Sequence, residues 1–466
     1  MFGLTLMASV STVKTFVLRS RTVSPALRRS PSTLCYAASY DEKYRQLMDA
    51  TTLSLAPMME YTDRHFRHLV RLLSNRTLLY TEMVAANALA HEWPTEDVSY
   101  LYRFLAQSKD EGASVLQLGG SCPEQLFKAG QCIVDMSDRG HCDYTAINLN
   151  CGCPSSKVAG KGCFGATLMD DAPLVAELTK AMYDGTEGRY PITVKCRIGT
   201  DSDQAFTKLG YNEIDEEQEY RKLCNFIETV AANGIVTDFS VHARIAVLQK
   251  SFSPADNRKI PPLKYHLVQR LVRDYPEFTF SLNGGVETIP QVQEQLASTP
   301  GLKGVMIGRA WAADPWSFAM ADRLLYGEDC GPTNRLEVLK AYGKHADEEE
   351  RSGDATRIRR FICKAVMPLF AGEPRAKRYR IALDEIAGRP KAGNMDGDPP
   401  VSTLILNAAM EHLSDETLLR TPEESYDRML FNTEKIGEPS QSVVEWQRHR
   451  KETEQGAYVV GGTGAA

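Results

Sequence analysis

Short apolar or β-branched segments recur along the chain between residues 53 and 310, and many of them end in polar turns that contain glycine. Amphipathic stretches with helical spacing, such as 173–183 and 220–232, lie between these segments. The alternation predicts strands that are joined by helical crossovers. The eight predicted strands span residues 53–58, 77–83, 114–118, 145–150, 192–198, 237–242, 278–282 and 302–307.

Eight strand–helix units within about 250 residues have the size and rhythm of a (β/α)8 barrel, so the predicted class is α/β. A doubly wound sheet stays open as the alternative, because a count of strands does not show whether the sheet closes. After Pro332 the pattern becomes helical, which predicts an all-α second domain. Its expected helices span 334–351, 355–370, 377–386 and 401–413, and a segment rich in Gly, Pro and Asp interrupts them at 388–400.

These patterns divide the chain into four predicted parts. We expect a leader over 1–39, a TIM barrel over 40–328, a helical domain over 329–420 and a partly disordered C-terminal extension over 421–466. The segment 201–219 interrupts the barrel with seven acidic residues and one Lys, which is typical of a solvated loop.

The predicted leader contains five basic residues, twelve Ser and Thr residues and no acidic residue. This composition is typical of a transit peptide that directs a protein to an organelle, either plastid or mitochondrion. A disordered leader without a targeting role is the alternative.

Composition and charge limit the function classes. No apolar run approaches the roughly 20 residues of a membrane span, so a transmembrane protein is excluded. The net charge of −6 argues against a protein that coats nucleic acid over its whole surface. Residues 351–380 nevertheless contain nine basic and two acidic residues, which favours a local contact with a polyanion. The 11 Cys, an odd number in a long chain, indicate free thiols in a reducing compartment.

The residues that are candidates for binding or catalysis lie at the carboxyl ends of the predicted strands. In a parallel barrel these ends share one rim, where active sites are built. The candidates, in chain order, are Ala56, Pro57, Met58, Gln117, Asn148 to Cys153, Lys195, His242, Asn283, Gly284, Gly285, Gly308 and Arg309.

The last two strand ends have the composition of a phosphate site. Gly284, Gly285 and Gly308 would free backbone N–H groups at this point, and Arg309 would add a forked donor for phosphate oxygens. Lys195 lies on a strand that we otherwise expect to be buried, where an inward-pointing ammonium group needs a charged partner such as a reduced flavin. The alternative is a Lys that extends out of the rim to solvent.

Two thiols stand one residue apart in Asn-Leu-Asn-Cys-Gly-Cys-Pro at 148–154. The spacing lacks the paired C-x2-C of a structural zinc site, so we expect no metal here. The favoured interpretation is one positioned thiol in a loop over the barrel mouth, able to give a proton to a carbanion-like centre.

Several ordered segments together resemble the tRNA-dihydrouridine synthases, most closely the bacterial A class. The resemblance covers about residues 50–385. Its motifs include Leu-Ala-Pro-Met-Met-Glu-Tyr at 55–61, Ile-Asn-Leu-Asn-Cys-Gly-Cys-Pro-Ser at 147–155, Thr-Val-Lys-Cys-Arg-Ile-Gly at 193–199, Val-His-Ala-Arg at 241–244 and Ser-Leu-Asn-Gly-Gly at 281–285.

The resemblance implies an FMN-binding TIM barrel, followed by a helical tRNA-binding domain, that reduces a D-loop uridine of the 20/20a class with NADPH. Hydride would pass from reduced FMN to C6 of the base, and Cys153 would give the proton to C5. Cys151 would be a bystander. The implied FMN contacts are Ala56, Pro57, Met58, Gln117, Lys195, His242, Asn283, Gly284, Gly285, Gly308 and Arg309, and the implied tRNA contacts are Asn150, Arg258, Lys377 and Arg380.

The expected partners are therefore tRNA and NADPH, with no membrane and no obligate protein partner. Two other functions stay open at this point. One is an FMN barrel that acts on a free pyrimidine and needs no RNA surface, and the other is an RNA-binding protein without catalysis.

Overall fold

Eight parallel strands close into a barrel in the computed structural model of the chain. The structure describes residues 31–108, 110–155, 164–201, 206–207, 210–211, 215–249, 251–352, 358–389 and 399–436. The barrel strands are β1 (Leu53–Leu55), β2 (Leu78–Ala85), β3 (Ser114–Gly119), β4 (Ala146–Cys151), β5 (Ile192–Arg197), β8 (Asp238–His242), β9 (Thr279–Asn283) and β10 (Gly304–Ile307), with the hairpin β6 (Phe206–Thr207) and β7 (Gly210–Tyr211) standing apart.

The first strand closes the barrel by pairing on both of its edges. Leu55 is in register with Ile307 of β10 on one side and with Leu79 of β2 on the other. The predicted (β/α)8 barrel is thus confirmed, and the doubly wound sheet is excluded, because an open sheet would leave two edge strands.

Helices follow the strands and cover the barrel. Their bounds are α1 (Pro31–Ala50), α2 (Arg64–Leu73), α3 (Ala86–Glu92), α4 (Ser99–Leu105), α5 (Pro123–Asp138), α6 (Ala172–Gly185), α7 (Glu216–Ala231), α8 (Tyr265–Asp274), α9 (Ile289–Ser298) and α10 (Arg309–Ala313). Local sequence sets several of their starts: Asp63 caps α2 through its carboxylate, and Thr288 with Gln291 forms a capping box on α9.

The helix α1 packs across the amino-terminal end of the barrel. Its residues Leu47 and Ala50 join a buried cluster with Tyr80, Val115 and Ala146, which lie near the starts of three strands. This helix begins at Pro31, within the predicted leader. Residues 1–30 of that leader lie outside the described residues, as do residues 437–466 of the predicted C-terminal extension.

The expectation of a solvated loop over 201–219 is wrong at both ends of the segment. Asp201 is buried, and its carboxylate accepts hydrogen bonds from Leu248 N at 2.7 Å and Gln249 Nε2 at 2.9 Å. At the other end α7 begins at Glu216, and buried Glu219 pairs with Lys264. Acidic residues in the first turn of a helix interact favourably with the positive end of the helix dipole. This explains why the acidic residues at the end of the segment belong to a helix.

A helical region follows the barrel, as expected. It contains α11 (Arg335–Ser352), α12 (Ile358–Val366), α13 (Ala376–Ala387), α14 (Val401–His412), α15 (Asp415–Leu419) and α16 (Pro422–Ile436). The single helix predicted over 355–370 is instead α12 followed by a separate 3-10 turn, Met367–Phe370, because Pro368 lacks the N–H that would continue the α-helix.

The helical region packs against α2, the helix that follows the first barrel strand. The Arg64 guanidinium on α2 contacts the Glu349 carboxylate on α11 at 2.7 Å. Beside this ion pair, His65 Nδ1 lies 3.1 Å from His345 Nε2, and the His68 ring stacks on the His345 ring at 4.1 Å between centroids. Among the described residues, no helix has the length and apolar character that a membrane crossing requires.

Candidate active site

The carboxyl ends of the eight parallel strands meet at one rim of the barrel, and the predicted residues lie there. Two contacts show how closely the loops approach. A side chain at Gly308 would begin 3.1 Å from Met58 Sδ and 3.3 Å from Ala56 Cβ, so the loops after β10 and β1 touch. Pro57 is half-buried in the same β1 loop, and Arg309 opens α10.

Lys195 and Asn283 meet inside the rim. The Lys195 ammonium donates to Asn283 Oδ1 at 3.1 Å, and the Asn283 amide donates to the Met306 carbonyl at 2.7 Å. Burial and the neighbouring Arg197 guanidinium lower the pKa of Lys195 to about 8. The amine still carries its charge at neutral pH, and a negative group beside it would raise its pKa again.

Positive charge accumulates around His242. Burial lowers the pKa of this imidazole well below its usual value, and the charges of Arg197, Lys195, Arg244 and Arg309 lower it further. His242 is therefore neutral at physiological pH and can offer one N–H donor. Four cations around a neutral imidazole favour an anionic ligand at this rim.

The turn after β9 leaves no room for side chains. Gly284 and Gly285 have φ angles of +108° and +74°, which only glycine adopts without strain. A Cβ at Gly284 would lie 2.9 Å from His242 Nε2, and one at Gly285 would lie 2.4 Å from Leu263 Cδ1. Glycine is therefore required at both positions, because neighbouring side chains already occupy the space that a Cβ would need.

A chain of amide side chains crosses the barrel interior. Gln117 Nε2 donates to Asn148 Oδ1, Asn148 Nδ2 donates to Thr193 Oγ1, and Asn150 Nδ2 donates to Gln117 Oε1, each at 2.8 Å. The Gln117 amide is thereby fixed in orientation, with one N–H left over.

The loop after β4 holds Cys153 at the rim. Asn150 Oδ1 accepts hydrogen bonds from Gly152 N at 3.1 Å and Cys153 N at 3.0 Å, which closes the turn. Cys153 is half-buried with a free thiol, whereas Cys151 is fully buried. Burial, with a smaller effect of Cys196, raises the pKa of Cys151 well above its usual value.

The predicted tRNA residues lie in different surroundings. Asn150 is buried, and its side chain forms hydrogen bonds with the Cys153 turn and with Gln117. Arg258 lies on a 3-10 turn, and its buried Nε has no partner among the described residues. Lys377 and Arg380 are exposed on α13. Their side chains are free to meet an external polyanion.

Fewer basic side chains of the segment 351–380 are exposed for contact with a polyanion than its composition predicts. Arg359 is buried, and its guanidinium contacts the Glu350 carboxylate at 2.5 Å. Lys364 donates to the Glu60 carbonyl of the first barrel loop. The exposed cations of the described part of this segment are Arg351, Arg360, Arg375, Lys377, Arg378 and Arg380.

The structure holds no group of three or more His, Cys, Asp or Glu side chains, within its described residues, that could bind a metal ion. Cys163, which the sequence places near the two thiols of the loop, lies outside those residues.

Comparison with known proteins shows which family the chain belongs to. A family model described as "Dihydrouridine synthase (Dus)" matches residues 54–396. The chain belongs to the dihydrouridine synthase family. The tRNA-dihydrouridine(20/20a) synthase of Salmonella typhi is 39% identical over 351 residues, which cover 75% of this chain and 94% of that protein.

Two further relatives carry the same name. The tRNA-dihydrouridine(20/20a) synthase of Escherichia coli K12 is 39% identical over 73% of this chain and 87% of its own length. That of Synechocystis is 39% identical over 73% of this chain and 91% of its own length. The family domain thus contains every predicted site residue, and it excludes the leader and the extension.

Within the dihydrouridine synthase domain, Arg197 is a rim residue that the sequence reasoning did not select. Its Nε donates to the Gly152 carbonyl at 2.8 Å, and its Nη1 donates to the Ile245 carbonyl at 2.9 Å. It therefore fastens the Cys153 loop to the loop after β8. The signal was present, because Arg197 stands two residues after Lys195 and so points to the same face of β5.

Proposed function

We propose that this protein is a tRNA-dihydrouridine synthase that reduces the C5=C6 bond of a D-loop uridine, of the 20/20a class, with FMN and NAD(P)H. The observation that carries the proposal is the free, half-buried thiol of Cys153 at a rim crowded with cations. The names of the relatives, at 39% identity over about three quarters of the chain, support the same substrate.

The rim suits a flavin mononucleotide. The buried Arg244 Nε has no partner among the described residues, and burial together with the nearby Arg309 charge lowers the pKa of Arg244. Phosphate would lie against Gly284, Gly285, Gly308 and Arg309. When bound, FMN supplies the hydride for the reduction.

The other rim residues would hold the flavin ring. Ala56, Pro57 and Met58 would pack against it, and Gln117 and His242 would each offer one N–H. Lys195 would lie beside the ring edge that becomes negative on reduction, with Asn283 holding its ammonium group in place.

Cys153 would supply the proton to C5 of the target uracil, acting as general acid. Cys151 is unsuited to this role, because it is fully buried beside Cys196. Asn150 and Arg197 would position the acid, since they bond to the backbone of its turn.

The helical region would bind the tRNA backbone. Lys377 and Arg380 would meet phosphates from α13, and Arg258 would meet them from the rim. An enzyme for free pyrimidines has no use for these exposed cations, which favours tRNA as the substrate.

The test uses the purified protein and an unmodified tRNA transcript. We expect a flavin absorbance spectrum that bleaches with NADPH under anaerobic conditions and recovers on addition of tRNA, with dihydrouridine then detected at position 20 or 20a. Recovery with a free pyrimidine but not with tRNA would support the alternative enzyme, and a protein that binds tRNA without flavin would overturn the proposal.

We further infer that the segment 1–39 addresses the protein to an organelle, from its five basic residues and lack of acids. A fusion of residues 1–39 to a fluorescent protein should enter plastids or mitochondria. A fusion that stays in the cytosol would contradict this.

A further inference from the structure

A cavity of about 350 Å³ lies between the barrel rim and the helical region. Its walls come from three separate parts of the chain: the loop and helix after β1, the end of α10, and residues 364–380. None of the residues that we assign to FMN lines it. The cavity is therefore a neighbour of the proposed flavin site and not a part of it.

One side of the cavity is aromatic and cationic. Tyr61 is 50% exposed, and the Lys364 ammonium lies 5.0 Å from the centre of its ring. Lys364 is held there by its bond to the Glu60 carbonyl. Arg380 contributes a second cation to the lining. An exposed aromatic ring with cations beside it is the usual platform for an unpaired nucleobase and its phosphate.

The remaining walls are apolar with one acidic group. Pro368, Phe370 and Ala313 form apolar surface, while the carboxylate of Asp63 lines the same space. Asp63 Oδ1 already accepts bonds from two backbone amides of α2, at 2.9 and 3.0 Å. The carboxylate is thus fixed in place and could accept a further bond from the edge of a base.

The cavity opens next to the reacting centre. Tyr61 follows Met58 in the loop after β1, and the Ala313 wall follows Arg309 on α10. Arg258 lies close enough to both Cys153 and Tyr61 to interact with each electrostatically, so the acid and this side of the cavity share one rim. A strand that delivers one base to Cys153 would therefore have Tyr61 on the same rim as its neighbouring nucleotides.

We propose that this cavity, the Tyr61 pocket, takes the unstacked base of a nucleotide adjacent to the target uridine in the tRNA loop. The inference rests on the proposed function, because it requires a target base at Cys153. Extracting one base removes a stacking partner from its neighbour, and the pocket would replace that partner with the Tyr61 ring.

The test combines protein variants with tRNAs that lack one base, on the 5′ or on the 3′ side of the target uridine. Tyr61→Ala removes the platform, and Ala313→Trp fills the pocket from its exposed edge. Tyr61→Phe keeps the ring, and Ala232→Trp adds the same bulk at an exposed position outside the pocket. Binding is measured by titration of the unreduced protein with tRNA.

We expect Tyr61→Ala and Ala313→Trp to weaken binding of intact tRNA by about 5- to 150-fold, the range for loss of one stacked base. One of the two abasic tRNAs should show the same loss with wild-type protein. That tRNA should show no further loss with either variant, and the two control variants should bind like wild type.

The proposal is overturned if wild-type protein binds both abasic tRNAs as tightly as intact tRNA. It is also overturned if the affinity lost when a variant binds an abasic tRNA equals the product of the two separate fold-losses. Dihydrouridine formation by the wild type is measured in parallel. Formation without this coupling would reject the pocket alone, whereas coupling without any dihydrouridine would reject the proposed reaction and keep the pocket.

Discussion

The side-chain oxygen Oδ1 of Asn150 accepts a hydrogen bond from the backbone N–H of Cys153 at 3.0 Å. A second bond, from Gly152 N at 3.1 Å, ends on the same oxygen. This relationship fixes the turn that presents the thiol at the barrel rim. It also gives Asn150 a role within the protein, where the family resemblance had implied a contact with tRNA.

Replacing Asn150 tests which task matters. Asn150→Ala removes the shared acceptor, so we expect the tRNA-dependent step to slow by about 10- to 100-fold while tRNA affinity changes little, because the acid loses its position. Asn150→Asp keeps an acceptor oxygen and should recover much of the rate. Loss of tRNA affinity with an unchanged rate at saturation would instead make Asn150 a binding residue.

The three imidazoles between α2 and α11 predict acid sensitivity. Burial lowers the pKa of His345 to about 3 and also lowers the pKa values of His65 and His68. The unfolded chain therefore binds more protons below its ordinary His pKa of about 6.5. Stability is fully present above that pH and falls as the pH drops toward 3.

Each such imidazole lowers the free energy of unfolding by up to about 1.4 kcal/mol for every unit that the pH falls within this range. We expect His345→Gln to reduce the slope of that free energy between pH 6 and 4.5 by up to this amount, as measured by urea unfolding. An unchanged slope would show that His345 already carries a proton in the folded protein.

The helix α1 should be needed for stability from Tyr40 onward. Leu47 is 2% exposed within the cluster at the barrel's amino-terminal end, so Leu47→Ala should cost about 2–5 kcal/mol of unfolding free energy. Arg45→Ala on the exposed face is the control and should cost little. A chain that starts at Tyr40 should keep the stability and tRNA reduction of the full chain. Failure of that chain to fold would show that earlier residues contribute.

The cations of α13 should act through phosphates. Replacing Lys377 and Arg380 together by Ala should weaken tRNA binding and lower its log–log salt slope by roughly 0.7–0.9 per contact. NADPH-driven flavin reduction should not change. Lys128→Ala with Lys180→Ala, two exposed cations on α5 and α6, is the matched control. An equal salt effect in the control would mean that general charge, and not this face, binds tRNA.

The strands could be predicted from the sequence because each apolar run is short, is followed by a turn and alternates with a helical pattern. All eight are confirmed to within about two residues at most ends. The rim could also be anticipated, since a parallel barrel gathers its strand ends at one side. The presence of α1 could not, because the apolar residues in its sequence do not form a strong stripe along one helix face.

Polar residues were harder to assign than strands. Asn150 follows a strand whether its amide faces a ligand or its own backbone, and only the turn geometry distinguishes these cases. Arg359 stands in a basic run, yet burial against Glu350 removes it from the surface. The Tyr61 pocket joins residues about 300 positions apart, which no local pattern reports.

The central claim is that Cys153, and not Cys151, gives the proton to the uracil. Stopped-flow absorbance of the flavin tests it in two separate reactions, reduction by NADPH and reoxidation by tRNA. Cys153→Ala should be reduced at a near-normal rate and reoxidised by tRNA about 10²- to 10⁴-fold more slowly, the usual loss of a general acid. Cys151→Ala should lose little in either reaction. Reoxidation of Cys153→Ala at a near wild-type rate, or a collapse confined to Cys151→Ala, would contradict this assignment.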